Sequence, residues 1–163
     1  MLKADDLRKE FPIFTERKNL VYLDSASTTQ KPQIVIDTVS SYYSNYNANV
    51  HRALYQIGEK ATNEYEQVRE KVKKFLNVPN SHEVIFTRSS TESINLVAYS
   101  WGNSNLNREK GVLVSEMEHH SNLVPWQLTA NRTKSFINHI PLLEDGTLDL
   151  SSIDDAMNNI GLG

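Results

Sequence analysis

The sequence predicts an α/β fold, a mostly parallel sheet with helices on both faces. From residue 83 to residue 140, "EVIFT" (83–87), "GVLVS" (111–115) and "SFINHI" (135–140) read as strands, and helix-like runs separate them. That spacing argues for βαβ units, whose sheets are covered on both faces and whose crossovers are right-handed. The chain has 163 residues, 39% of them hydrophobic and 23% charged. Those totals suit a globular domain of ordinary size and exclude a disordered or fibrous chain.

In chain order, Leu2, Leu7 and Phe11 punctuate a short charged helix that Pro12 helps to end. "LVYLD" (20–24) reads as a strand and "SASTTQ" (25–30) as a small polar loop. Pro32 suits a first helical turn, and Ile34, Val35, Thr38, Val39, Tyr42 and Tyr43 then fall near one stripe. "NANVHRALYQ" (47–56) has no clear period. From about Gly58 a long helix follows, with Ala61, Tyr65, Val68, Val72 and Phe75 on one face and "NVPNS" (77–81) at its end. Residues 91–102 predict a helix closed by Gly102, and residues 121–132 a helix with Pro125 in its first turns. "EDGTLDL" (144–150) reads as a turn and a short extended piece. Residues 151–160 read as a helix capped at Ser151 or Ser152. No strand follows, and three parallel strands make a poor finished sheet, so the chain is expected to stop inside a larger fold.

A net charge of −3 and scattered basic residues give no push toward nucleic acid or an acidic membrane. There is no cysteine, so no disulfide, zinc–thiolate or thiol nucleophile can come from this chain. The N-terminus lacks the apolar segment of a secretory signal, and no apolar run approaches the ~20 residues needed to span a bilayer. Cytoplasmic residence is the default expectation.

Two segments invite chemistry. In "FTRSSTESINL" (86–96), hydroxyls lie where a strand end meets a helix start. Ligands of open α/β sheets sit there, and the unpaired N–H groups of the helix attract an anion such as a phosphate. The same residues fit a capping box, Ser89 as cap and Glu92 folding back, which needs no ligand. Both readings hold together if Glu92 faces away from the anion. In "EMEHHSNLVPW" (116–126), His119 and His120 lie at the same sheet edge. Adjacent histidines point in different directions, so a metal site is not expected. Either imidazole can be a surface or capping group. Alternatively, one lies flat against an aromatic ligand; pyridoxal phosphate, a flat ring carrying a phosphate, would engage both strand ends.

"YLDSAST" with "QKP", "NVHRALY", "FTRSSTESINLVAYSWG", "EMEHHSNLVPWQ" and "PLLEDGTLDL" together resemble the Suf-type (group II) cysteine desulfurases, class V enzymes of the fold-type I pyridoxal-phosphate group. The likeness runs from about residue 4 to residue 152. It implies a partial fold-type I large domain over 21–163, preceded by a helical arm over 1–20 on the small-domain side. It implies a homodimer at full length, L-cysteine as substrate and a sulfur-acceptor protein as a further partner. By the same resemblance, Thr91 binds the cofactor phosphate with Ser90 and Glu92 beside it, and His119 stacks on the pyridine ring. Ser25, Ala26, His51 and Arg52 match segments lining the substrate mouth, although His51 and Arg52 can equally pair with acids on a surface loop.

In that family a lysine holds the cofactor, the ring withdraws electrons from the substrate carbon, and an enzyme thiolate takes the substrate sulfur. Alanine leaves, and the persulfide serves iron–sulfur cluster assembly. Two departures stand out. Ser89 and Ser93 replace glycines that commonly flank the hydroxyl-Thr-Glu segment. The family's lysine, its aspartate partner of the pyridine nitrogen and its cysteine all fall beyond residue 163. The chain is therefore expected to supply part of a pocket and not the reaction. A selenocysteine lyase, another class V enzyme and a non-catalytic binding remnant are the alternative readings. "NNIGLG" (158–163) also departs from the usual continuation, and a frameshift or early stop near residue 159 is one explanation.

Overall fold

Pro12 divides the N-terminal helical run in two. In the computed structural model, which describes residues 3–79 and 84–158, helix α1 spans Ala4–Lys9 and helix α2 spans Pro12–Glu16. Proline disfavours helical geometry in the residue before it, and Phe11 is extended; Pro12 then suits the opening position of α2. Asp5 and Asp6 in the first turn of α1, with Arg8 and Lys9 in the last, complement its dipole. The Arg8 guanidinium donates to the Leu20 carbonyl at 3.2 Å and lies 4.3 Å from the centre of the Phe14 ring.

Helix α3 covers Gln33–Asn45, with Pro32 just outside it as the N-cap residue. Helix α4 covers Gln56–Phe75, starting two residues before Gly58. Gly58 is buried, and it admits no side chain: a Cβ there would lie 2.0 Å from the Ala53 Cβ. Tyr42 and Tyr43 of α3, Tyr46 at its C-cap, and Tyr65 and Val68 of α4 line an apolar groove of about 350 Å³. The run 20–24, expected as a strand, is irregular, with Val21 75% and Leu23 91% exposed. A strand exists by pairing its backbone with a neighbour, which an apolar run cannot supply for itself. These elements belong to the first of two compact units, Met1–Val84; the second is Ile85–Gly163.

The second unit opens on residues 85–87, which are also irregular; of the strand expected over 83–87, Glu83 lies outside the described residues. Helix α5 spans Ser90–Val97 and runs through one wide π turn, Ala98–Gly102, into the short helix α6, Asn103–Asn105. Ser100, Asn103, Ser104 and Asn105 donate side-chain hydrogen bonds to the carbonyls four residues back. Strand β1 (Val112–Ser115), helix α7 (His120–Thr133) and strand β2 (Ile137–Ile140) form the βαβ unit. The strands are parallel, in register from Val112 opposite Ile137 to Ser115 opposite Ile140. Gly111 permits the close approach: a Cβ there would sit 2.5 Å from the Phe136 ring and 2.6 Å from its carbonyl oxygen.

The core of this unit holds Ala98, Leu106, Val114, Thr129 and Ala130. Thr129 is wholly buried and fully bonded. Its hydroxyl donates to the Ala98 carbonyl at 3.3 Å and accepts from Arg132 at 2.8 Å. A Cβ on Gly102 would lie 2.9 Å from the Thr129 methyl, so the wide turn and α7 pack closely. Helix α7 ends at Lys134 in the left-handed region (φ 61°), its N–H bonded to the Ala130 carbonyl.

Beyond β2, Gly146 (φ 81°) serves a turn, closed by an antiparallel bridge between Leu142 and Leu148. The helix expected over 151–160 begins as a 3-10 turn, Leu150–Ser152, and continues as helix α8, Ile153–Asn158. Its cap is Asp149, whose carboxylate accepts from the Ser151 N–H at 3.0 Å, two or three residues before the serines expected to serve. The sequence over 159–163 lies outside the described residues. Among the described residues, no helix is long and apolar enough to cross a membrane.

Candidate functional site

Helix α5 begins with a side-chain cap. The Ser89 hydroxyl accepts from the Glu92 N–H at 3.2 Å, as the S-x-x-E pattern predicts. The Glu92 carboxylate reaches one residue further back than a standard capping box. It accepts from the Arg88 N–H at 2.7 Å and from the Arg88 guanidinium at 3.2 Å. These bonds, the backbone one foremost, hold the Glu92 carboxyl below the usual carboxylate range. Glu92 is thus engaged with the residue preceding the helix, whereas the exposed hydroxyls of Ser90 and Thr91 have no hydrogen-bond partner among the described residues.

Helix α7 begins on an imidazole. His119 is its N-cap residue: the ring Nδ1 accepts from the Ser121 N–H at 3.1 Å and lies 2.8 Å from the Ser121 hydroxyl. His120 follows with its ring nearly perpendicular, the centroids 6.3 Å apart. Behind them the Glu118 carboxylate accepts from the Ser115 hydroxyl and from the Asn122 amide, both at 2.7 Å. The Ser115 bond, then the Asn122 bond, hold the Glu118 carboxyl below its ordinary range. The Asn122 carbonyl in turn accepts from the Trp126 indole N–H at 3.2 Å.

The two helix starts open onto one cavity of about 300 Å³. Thr91 and Asn95 line it from α5; His119, His120 and Ser121 line it from α7, over a floor of Val124 and Pro125. Two helix N-termini, each with only one N–H taken by its side-chain cap, hydroxyl donors and two imidazoles make a seat for an anion beside a flat ring, and among the described residues no carboxylate lines it. Among the described residues, no group of three or more His, Cys, Asp or Glu side chains could hold a metal ion.

The other sequence-predicted residues belong to the first unit. Ser25 and Ala26 lie in an exposed turn, where the Ser25 carbonyl accepts from the Thr29 hydroxyl at 3.2 Å. His51 stands in the left-handed region (φ 71°), its N–H on the Thr62 hydroxyl at 3.0 Å. Its ring meets Tyr65 edge-on at 5.6 Å and Glu66 at 3.4 Å, a surface pairing with an acid. Arg52 beside it is exposed. His120, paired with His119 in the sequence, lines the cavity too, whereas Asn95, Ser121, Glu118 and Asn122 carry no sequence expectation. The i, i+4 spacing of Glu118, Asn122 and Trp126 was the available signal for the last network.

Comparison with known proteins gives this geometry a context. The family model "Aminotransferase class-V" matches residues 21–160. A "Probable cysteine desulfurase" of Streptomyces coelicolor is 46% identical over 165 residues, covering 96% of this chain. The apo structure of the cysteine desulfurase of Thermococcus onnurineus superposes with a TM-score of 0.87 at 33% identity over 96% of the chain. The cysteine desulfurase CsdA of Escherichia coli does so with a TM-score of 0.80 at 35% identity over 95%. The chain spans 40% of the Streptomyces protein and 38% of each of the two solved chains.

Proposed function

The chain belongs to the aminotransferase class-V family, and from that premise we propose that it is the N-terminal portion of a Suf-type cysteine desulfurase. Homologues of this kind are pyridoxal-phosphate enzymes. The supporting observation is that Thr91 and His119, from different helices, line the same cavity. The donor set suits the cofactor. Thr91 and Ser90 offer uncommitted hydroxyls and helix N–H groups to its phosphate, and Glu92 turns away to Arg88. His119 offers an imidazole face to the ring. When bound, the cofactor supplies an electron sink for the substrate carbon.

In this reading residues 1–20 form a helical arm and residues 21–163 the first part of the cofactor-binding domain. Ser25, Ala26, His51 and Arg52 serve the substrate mouth for L-cysteine. The full-length protein is a cytoplasmic homodimer that passes sulfur to an acceptor protein for iron–sulfur assembly. The present chain does not convert cysteine by itself, because it has no cysteine to carry sulfur and, among the described residues, no lysine lines the seat.

Pyridoxal phosphate titrated into the chain, followed by amide NMR, tests the reading. Shifts are expected at Ser90, Thr91, His119 and Ser121, with no alanine released when cysteine is added. Shifts confined to residues remote from these, or stoichiometric alanine, would overturn it.

A further inference from the structure

Glu118 has no part in the roles given so far, yet it spans the one connection that delivers His119. Its carboxylate ties the last residue of β1, Ser115, to the first turn of α7 at Asn122, and Trp126 anchors Asn122 from one turn further on. The very next residue is His119, whose Nδ1 accepts a backbone N–H. A ring nitrogen that accepts such a bond carries no proton, so the neutral ring holds its proton on Nε2.

We propose that Glu118 is a positioning residue for the His119 imidazole: by bridging Ser115 and Asn122 it fixes the turn that makes His119 the cap of α7, and so holds the ring in its Nε2–H tautomer. The inference rests on the cofactor reading for the use of that ring, and not for its geometry. The imidazole is oriented before any ligand arrives, and its single N–H lies on the edge away from the helix. The ionised state of Glu118 suits this role, since a carboxylate accepts from both anchors at once.

The test is long-range proton–nitrogen NMR of the imidazoles in the whole chain, without cofactor. His119 is expected to give the Nε2–H pattern. Glu118→Ala is expected to lose it, giving a mixture of tautomers, while His139 on β2 stays unchanged as an internal reference. Glu118→Gln, which can still bridge the two anchors by one acceptor and one donor, is expected to retain it. A retained pattern in Glu118→Ala overturns the proposal and leaves Glu118 a purely structural residue. An Nδ1–H pattern in the unsubstituted chain overturns it without any variant; should Glu118→Ala fail to fold, Ser115→Ala removes one anchor and is judged by the same signal. If the pattern depends on Glu118 but pyridoxal phosphate shifts nothing near Thr91, the proposal stands and the cofactor reading falls.

Discussion

Helices α5 and α7 open onto the same cavity but begin in opposite ways. At α5 one orphan N–H is met by Ser89, and Glu92 is drawn back to Arg88, which leaves the Thr91 hydroxyl uncommitted. At α7 the candidate ligand-facing ring is itself the cap, and a second set of side chains behind it holds the turn. The first arrangement separates stability from binding; the second merges them. A substitution at one helix start therefore reports on one property, and a substitution at the other reports on both.

The comparison presupposes that the two helices stay packed, and Thr129 is where that can be broken. Thr129→Val keeps the shape but removes the buried hydroxyl that donates to the Ala98 carbonyl and accepts from Arg132. The expected cost is about 1–3 kcal/mol of stability in denaturant unfolding. Next in size is the α5 cap itself. Ser89→Ala is expected to cost about 1 kcal/mol, whereas Thr91→Ala stays within about 0.5 kcal/mol and weakens pyridoxal-phosphate binding. Equal losses of stability for the two would erase the distinction drawn above.

The smallest effect concerns acid. The Glu92 carboxyl is held below its ordinary range in the folded chain. Its contribution is therefore present above the unfolded-state value and fades as pH falls through the lower folded value. Melting curves of the parent and Glu92→Gln should differ at neutral pH and converge on acidification. A gap that widened in acid would mean that Arg88 is not the partner that matters.

Legibility in the sequence followed the range of the interactions involved. The α5 cap and the helices α3, α4 and α7 rest on residues a few positions apart, and their patterns were readable, although most of the α3 stripe is exposed. The runs 20–24 and 84–87 looked like strands because their side chains suit one, but a strand also needs a partner that lies elsewhere in the chain. Thr91 and His119 were placed together by a topological rule about strand ends; their shared cavity depends on close helix contact at Gly102 and Thr129, which no local pattern announces. The cap of α7 was half legible: a capping role was open to either imidazole, and the ring bond that selects His119 over His120 is set by the turn geometry.

The wide turn at Ala98–Gly102 sets a phase. One residue more than a regular helix requires is absorbed there, and everything upstream inherits the resulting rotation. Cutting one residue from that turn while Gly102 stays docked would spin the start of α5 by about 100° about its axis, swinging Thr91 off the cavity with no change to any side chain near it. The helix behaves like a dial, its setting held by a single supernumerary peptide unit about two turns away from the hydroxyl it aims.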